Sequence, residues 1–124
     1  MKKNALTHAD MEQNLPFAVQ KRKLVMAGKD MFVKEYALAP GQMVPWHHHS
    51  NVSDVFYCIQ GELVIERMDV ASGALRDPIP LHTGESARVD PGTAHQPRND
   101  TNALCRFLVI QGVGEYDFIP LRKA

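Results

Sequence analysis

The stretch that decides the fold runs from Gly41 to Gly61 and reads GQMVPWHHHSNVSDVFYCIQG. Its centre is Trp46-His47-His48-His49, followed by a short polar loop, Asp54, and a β-rich run ending at a glycine. In an extended chain successive side chains point to opposite faces, so His47 and His49 share one face while His48 takes the other. Two imidazoles at i and i+2 can grip a single ion, and neutral imidazole suits Zn, Cu, Fe, Ni and Mn. Three adjacent histidines alone would fit a solvated patch better than a metal site. The spacing around them, and a second cluster downstream, carry more weight.

Outward from this stretch, glycine and proline recur at short intervals, among them Pro40-Gly41, Gly61, Gly73, Gly84, Pro91-Gly92 and Gly112. The segments between are rich in Val, Ile, Phe and Tyr, which predicts short antiparallel strands and little helix. Strands are expected from Lys23 to Ala27, Met31 to Leu38, Met43 to His49, Asp54 to Gln60 and Glu62 to Asp69. Further strands are expected from Leu75 to Leu81, Glu85 to Val89, His95 to Arg98 and Leu104 to Gln111. Asp54 to Asp69 reads as a hairpin turning at Gln60-Gly61. Residues 1–20 read as an N-terminal arm, partly flexible or strand-exchanging, and residues 21–120 as one β-barrel domain.

The 124 residues suit one domain, and 44% hydrophobic residues can fill its core. Fourteen basic residues balance fourteen acidic ones, which argues against electrostatic attachment to nucleic acid or an anionic membrane. No apolar run approaches the roughly 20 residues of a membrane span. The expectation is a cytoplasmic protein with Cys58 and Cys105 as reduced, buried thiols.

The second cluster comprises Gly84, Asp90-Pro91-Gly92, His95 and Asn99. Together the two clusters resemble the motifs of the cupin superfamily. The first motif is matched by Gly41, His47, His49, Asp54 and Gly61, with aspartate where the family has glutamate. The second is matched by Gly84, Gly92, His95 and Asn99, with Asp90 where the family has its first proline. The resemblance covers about half the chain. It implies an all-β, jelly-roll antiparallel β-barrel, one divalent metal ion, and commonly a homodimer. Carried over residue by residue, it names His47, His49, Asp54 and His95 as ligands.

Aspartate is one methylene shorter than glutamate, a reach deficit on the order of 1.5 Å. Three roles are therefore open to Asp54: direct ligation, ligation through water, or a structural hydrogen bond that leaves a three-histidine site. If Asp54 faces inward, strand parity turns Phe56, Cys58 and Gln60 inward too, unless a bulge intervenes. Phe107 joins them as a pocket residue from the last long strand. Arg88, Gln96 and Arg98 could hold a carboxylate, or simply be solvated.

Three or four protein ligands leave a coordination position open for a small molecule. With iron, manganese, copper or nickel this permits oxygenase-type chemistry; with zinc it permits isomerisation, lyase chemistry or hydrolysis. The sequence thus points to a metal-dependent enzyme acting on a small organic substrate, oxygenase-type first and isomerase or lyase second. The alternative from another class is a non-catalytic cupin that binds or senses a small ligand or metal.

Overall fold

The computed structural model of the chain describes residues 17–121. Its strands are β1 (Lys21–Ala27), β2 (Phe32–Leu38), β3 (His47–His48), β4 (Ser53–Gln60), β5 (Glu62–Asp69), β6 (Leu75–His82), β7 (Ser86–Val89), β8 (Thr93–Arg98), β9 (Cys105–Gly112) and β10 (Ile119–Pro120). There is no helix among the described residues. The expected arm falls largely on residues 1–16, which lie outside the described residues.

All strand pairings are antiparallel. They build two five-stranded sheets, ordered β1-β2-β9-β4-β7 and β10-β3-β8-β5-β6. The chain alternates between sheets, so β9 inserts between β2 and β4 while β8 inserts between β3 and β5. This is jelly-roll architecture. The two sheets stack face to face and do not close into one hydrogen-bonded cylinder, so the expected barrel is an open one.

Alternation along the strands fills the space between the sheets. Tyr36, Leu38, Phe56, Leu63, Ile65, Leu81 and Phe107 form one buried cluster. Each such side chain contributes roughly 1.5–3 kcal/mol on leaving water.

The expected strand from Met43 to His49 is interrupted. Only Met43 bridges to Arg98 before the ladder resumes at His47. Pro45 lies between and has no N–H to give a ladder. β10 escapes the sequence reading because two residues, Ile119–Pro120, carry no periodicity.

Two glycines set the turns that deliver the site. Gly61 sits at φ +79°, and a Cβ there would lie 2.6 Å from the Leu104 carbonyl oxygen. Gly92 sits at φ +82° and donates its N–H to the His49 carbonyl at 3.1 Å, which ties the turn before His95 to the first histidine cluster.

Candidate metal centre

β3 pairs with β8 so that His47 stands directly opposite His95. His49 follows immediately after β3, and Asp54 comes from the other sheet, opposite Gln111 and Val89. All four side chains are buried, between 1% and 4% exposed. One ligand atom from each lies within 4.8 Å of the others. His48 is only partly buried and is not in this group.

The ring orientations are fixed from behind. Nδ1 of His47 donates to the Pro45 carbonyl at 2.8 Å, and Nδ1 of His95 donates to that of Thr93 at 3.0 Å. Nδ1 of His49 donates to the Asp117 carbonyl at 2.5 Å. A carbonyl oxygen can only accept, so each Nδ1 carries the proton and each neutral ring turns an Nε2 lone pair inward. Those of His49 and His95 meet Asp54 Oδ2 at 3.1 and 2.9 Å. A lone pair facing a carboxylate is repulsive unless something positive lies between them. Either extra protons or a metal ion must supply that charge.

The electrostatics follow the same logic. Burial, together with the neighbouring His95 and His49, holds the pKa of His47 well below its ordinary value and keeps the ring neutral. For His49 burial also favours the neutral ring. The Asp54 carboxylate, helped by Asp117, outweighs it and raises the pKa. Burial alone would raise the pKa of Asp54, yet His49 and His95 hold it well below the usual carboxylate range.

Asp54 has not turned away from the cluster. Oδ2 lies among the imidazole nitrogens, while Oδ1 accepts a hydrogen bond from Gln111 Nε2 at 2.8 Å. Donor chemistry and burial therefore fit a divalent transition ion held by His47, His49, His95 and Asp54. The backbone carbonyls and Gln111 form the outer support typical of metal sites.

A small cavity of about 20 Å³, room for roughly one water molecule, adjoins the cluster. His47, Asp54, Phe56 and Phe107 line it, with Lys34, Tyr36, Gln111, Tyr116 and Phe118 among the others. Cys58 is buried on the same face as Asp54 but lies outside this lining, its thiol donating to the Gly61 carbonyl at 3.4 Å. Gln60 is exposed, which corrects its assignment to the pocket. Between Cys58 and Gln60 the register with β9 slips by one residue, so Gln60 pairs with Arg106 and turns outward. There it accepts a hydrogen bond from Arg106 Nη1 at 3.4 Å. Arg88 and Arg98 are likewise outside, paired with Asp90 at 2.7 Å and Glu66 at 2.7 Å. Gln96 points towards the Met43 sulfur.

Asn99 is a turn organiser. Its Nδ2 donates to the carbonyls of Leu38 and Ala103, while Oδ1 accepts from the N–H and hydroxyl of Thr101.

Sequence reasoning missed several contributors. Phe118 stacks on His47, with centroids 4.4 Å apart and 18° between planes, and Tyr116 lies 5.4 Å from His49. Lys34 had a readable signal, since Phe32, Lys34 and Tyr36 share one parity in β2 and its neighbours are large rings.

The family model for the cupin domain matches residues 34–111. The chain belongs to the cupin family. That match contains all four residues of the cluster. Among solved structures, this cupin is similar to the TT1209 protein of Thermus thermophilus, with 26% identity and TM-score 0.66 over 76% of this chain and 83% of that one. It is also similar to a conserved protein with a double-stranded β-helix domain from Klebsiella pneumoniae. That pair has 22% identity and TM-score 0.71 over 95% and 97% of the two chains. A third similarity is to oxalate oxidase in complex with the substrate analogue glycolate, at 17% identity and TM-score 0.66, covering 74% of this chain and 46% of that one. No curated protein matched the sequence.

Proposed function

We propose that this cupin is a metal-dependent enzyme of oxygenase type acting on a small organic substrate. One observation carries the reading: three backbone carbonyls hold the Nδ1 protons, so that inward nitrogen lone pairs converge with a carboxylate on one buried point. When bound, a divalent ion of Fe, Mn, Ni, Cu or Zn supplies Lewis acidity and, if redox-active, electron transfer. His47, His49, His95 and Asp54 hold it; Gln111 fixes the Asp54 carboxylate; Phe56 and Phe107 keep bulk water from the cavity wall. The likeness to oxalate oxidase supports small carboxylates as substrates to try first.

The test is anaerobic purification with elemental analysis, followed by oxygen uptake against a panel of small carboxylates and phenols. One equivalent of a redox metal with substrate-dependent oxygen uptake is the expected result. No uptake with any loaded metal would end the oxygenase reading.

The near-complete burial of all four ligands favours a second reading, a non-catalytic cupin that binds or senses a ligand or metal. Isomerase or lyase chemistry is the third, and substrate turnover without oxygen consumption separates it from both. This reading places the protein in the cytoplasm as a homodimer with small-molecule partners and no nucleic-acid or membrane partner. Its support is the balanced charge and the two free, buried cysteines. No helix among the described residues is long and apolar enough to cross a membrane.

A further inference from the structure

The outward side chains of the first sheet form rows across β1-β2-β9-β4-β7. Met26, Val33, Ile110, Val55 and Arg88 make one row; Lys23, Glu35, Leu108, Tyr57 and Ser86 make the next. An antiparallel sheet commonly packs one face on the core and leaves the other polar and solvated. Here both faces are apolar. Val33, Val55, Leu108 and Ile110 adjoin one another at the centre and are only partly buried, and Tyr57 beside them is 42% exposed. A contiguous apolar patch of this kind marks a surface that another molecule covers.

The relief of this face is uneven. On the β1 side Met26 stands out at 70% exposed, just past the register shift that follows Leu24. On the far side of β9 lies an open depression of about 550 Å³, bounded by Ile110, Val55 and Arg88 with Val113 at one end. An apolar knob and a largely apolar hollow therefore share one row, on opposite sides of β9.

Charge is divided in the same way. At the β1 side Lys21, Lys23 and Arg106 surround a single carboxylate, Glu35, which pairs with Arg106 at 2.8 Å and Lys21 at 3.8 Å. At the β7 side Glu85 and Asp90 flank the strand, with Arg88 paired to Asp90. One side carries the surplus of cations and the other the surplus of anions.

Consider two such faces stacked with a two-fold axis between them, running along β9. The rotation sets β1 of one copy over β7 of the other, and β2 over β4. Met26 then meets the hollow of the other copy, Val33 meets Val55, and Ile110 and Leu108 meet their own twins. Lys21 and Lys23 come over the side that carries Glu85 and Asp90. An axis across the strands would instead stack the β1 cations of both copies on each other, which costs affinity.

We propose that the outer face of the first sheet docks a second copy of this chain, with β9 on the two-fold axis and Met26 seated in the hollow of the other copy. The proposal rests on the homodimer named in the reading above and gives it a surface and a symmetry. Five strands about 4.8 Å apart and about 24 Å long give a flat footprint of about 450 Å² per copy, at the low end for specific complexes. The dimer is therefore a reversible one.

The test is analytical ultracentrifugation of the full chain from about 1 to about 100 μM, a range that brackets the micromolar Kd expected of so small an interface. Circular dichroism and metal content are measured on the same samples. Ile110→Arg and Ile110→Asp each set like charges against each other across the axis, and each should raise Kd at least about a hundredfold. Mixed in equal amounts, the two variants should form a dimer again, because position 110 of one copy faces position 110 of the other. Met26→Ser, which empties the hollow, should raise Kd roughly tenfold.

A dimer indifferent to both Ile110 variants would overturn the proposal and leave the homodimer reading standing on some other surface. Failure of the mixed variants to pair would overturn the axis. A wild type that stays monomeric throughout the range gives the face to another occupant and sinks the proposal and the homodimer together, while its metal content still decides the metal centre. If the Ile110 variants lose their strand signal, Met26→Ser decides alone, since its side chain is mostly in solvent; an unchanged Kd there would overturn the proposal.

Discussion

At the scale of single residues, the proposed metal centre separates two inward-facing candidate ligands, His47 and His49, from His48 within one histidine triplet. His47→Ala and His95→Ala each remove an inward nitrogen from a buried site and should lower metal affinity by more than about a hundredfold, the upper end for losing mere outer support. His48→Ala should retain full metal content by elemental analysis; unchanged content in His95→Ala would dismantle the shared site. Asp54→Ala discriminates further, because retained metal would establish that three imidazoles suffice. The pH dependence has a definite sign. A bound ion requires His49 neutral, and the folded metal-free protein favours its charged form, with a pKa raised above 6.5. Metal affinity should therefore rise with pH through 6.5 and beyond, with proton release on binding. Calorimetry in buffers of different ionisation enthalpy checks this, and an affinity flat between about pH 6 and 8 would refute it. The metal-free fold shows the reciprocal effect. His49 contributes stability that is complete below pH 6.5 and fades as pH rises through its raised value. Asp54 contributes above its ordinary 3.8 and loses that contribution as pH falls through its depressed value.

At the scale of elements, parity explains both what the sequence made legible and what it hid. The hairpin of β4 and β5 was readable because Phe56, Cys58, Leu63 and Ile65 alternate with polar or outer residues around Gly61. Asp54 and His95 were readable through motif spacing alone, although they meet from different sheets. Gln60 was not, since a one-residue bulge reverses its face and leaves no mark in the local pattern. The carbonyl behind His49 was not either. It comes from the irregular segment just before the two-residue β10, which has no periodic signature, 68 positions along the chain. Gly61→Ala tests the hairpin. The substitution combines a left-handed backbone with a 2.6 Å approach to Leu104. It should cost about 2–4 kcal/mol, the strain plus the displacement of a neighbouring strand end. Urea unfolding measures this, and a loss under about 0.5 kcal/mol would show that the turn tolerates a Cβ.

Across the whole molecule, composition and balanced charge limited the function classes, and the stacked sheets explain the state of the thiols. Cys58 and Cys105 sit fully buried on adjoining strands. Burial, with Cys58 beside it, pushes the Cys105 thiol up from 9.0 to about 12, and burial raises Cys58 as well. Neither thiol should react with iodoacetamide at about pH 8 in the native protein, while both should react in denaturant, read by mass spectrometry. Because the folded thiol resists ionisation, stability is fully present below pH 9.0 and is lost as pH rises towards about 12. Rapid native labelling would mean that the two sheets part far more readily than their packing indicates.

The support that His49 receives from Asp117 has a consequence for biosynthesis. Ser50 also bonds to the Asp117 side chain through its N–H and hydroxyl, so this late segment clasps the first histidine cluster. Chains emerge from the ribosome N-terminus first. His47, His49 and Asp54 are exposed to the cell well before His95, Gln111 and Asp117 exist to orient them. A nascent chain therefore offers loose imidazoles without a cage, and on the proposed metal-centre reading selective capture of an ion would belong to the period after synthesis has passed Asp117.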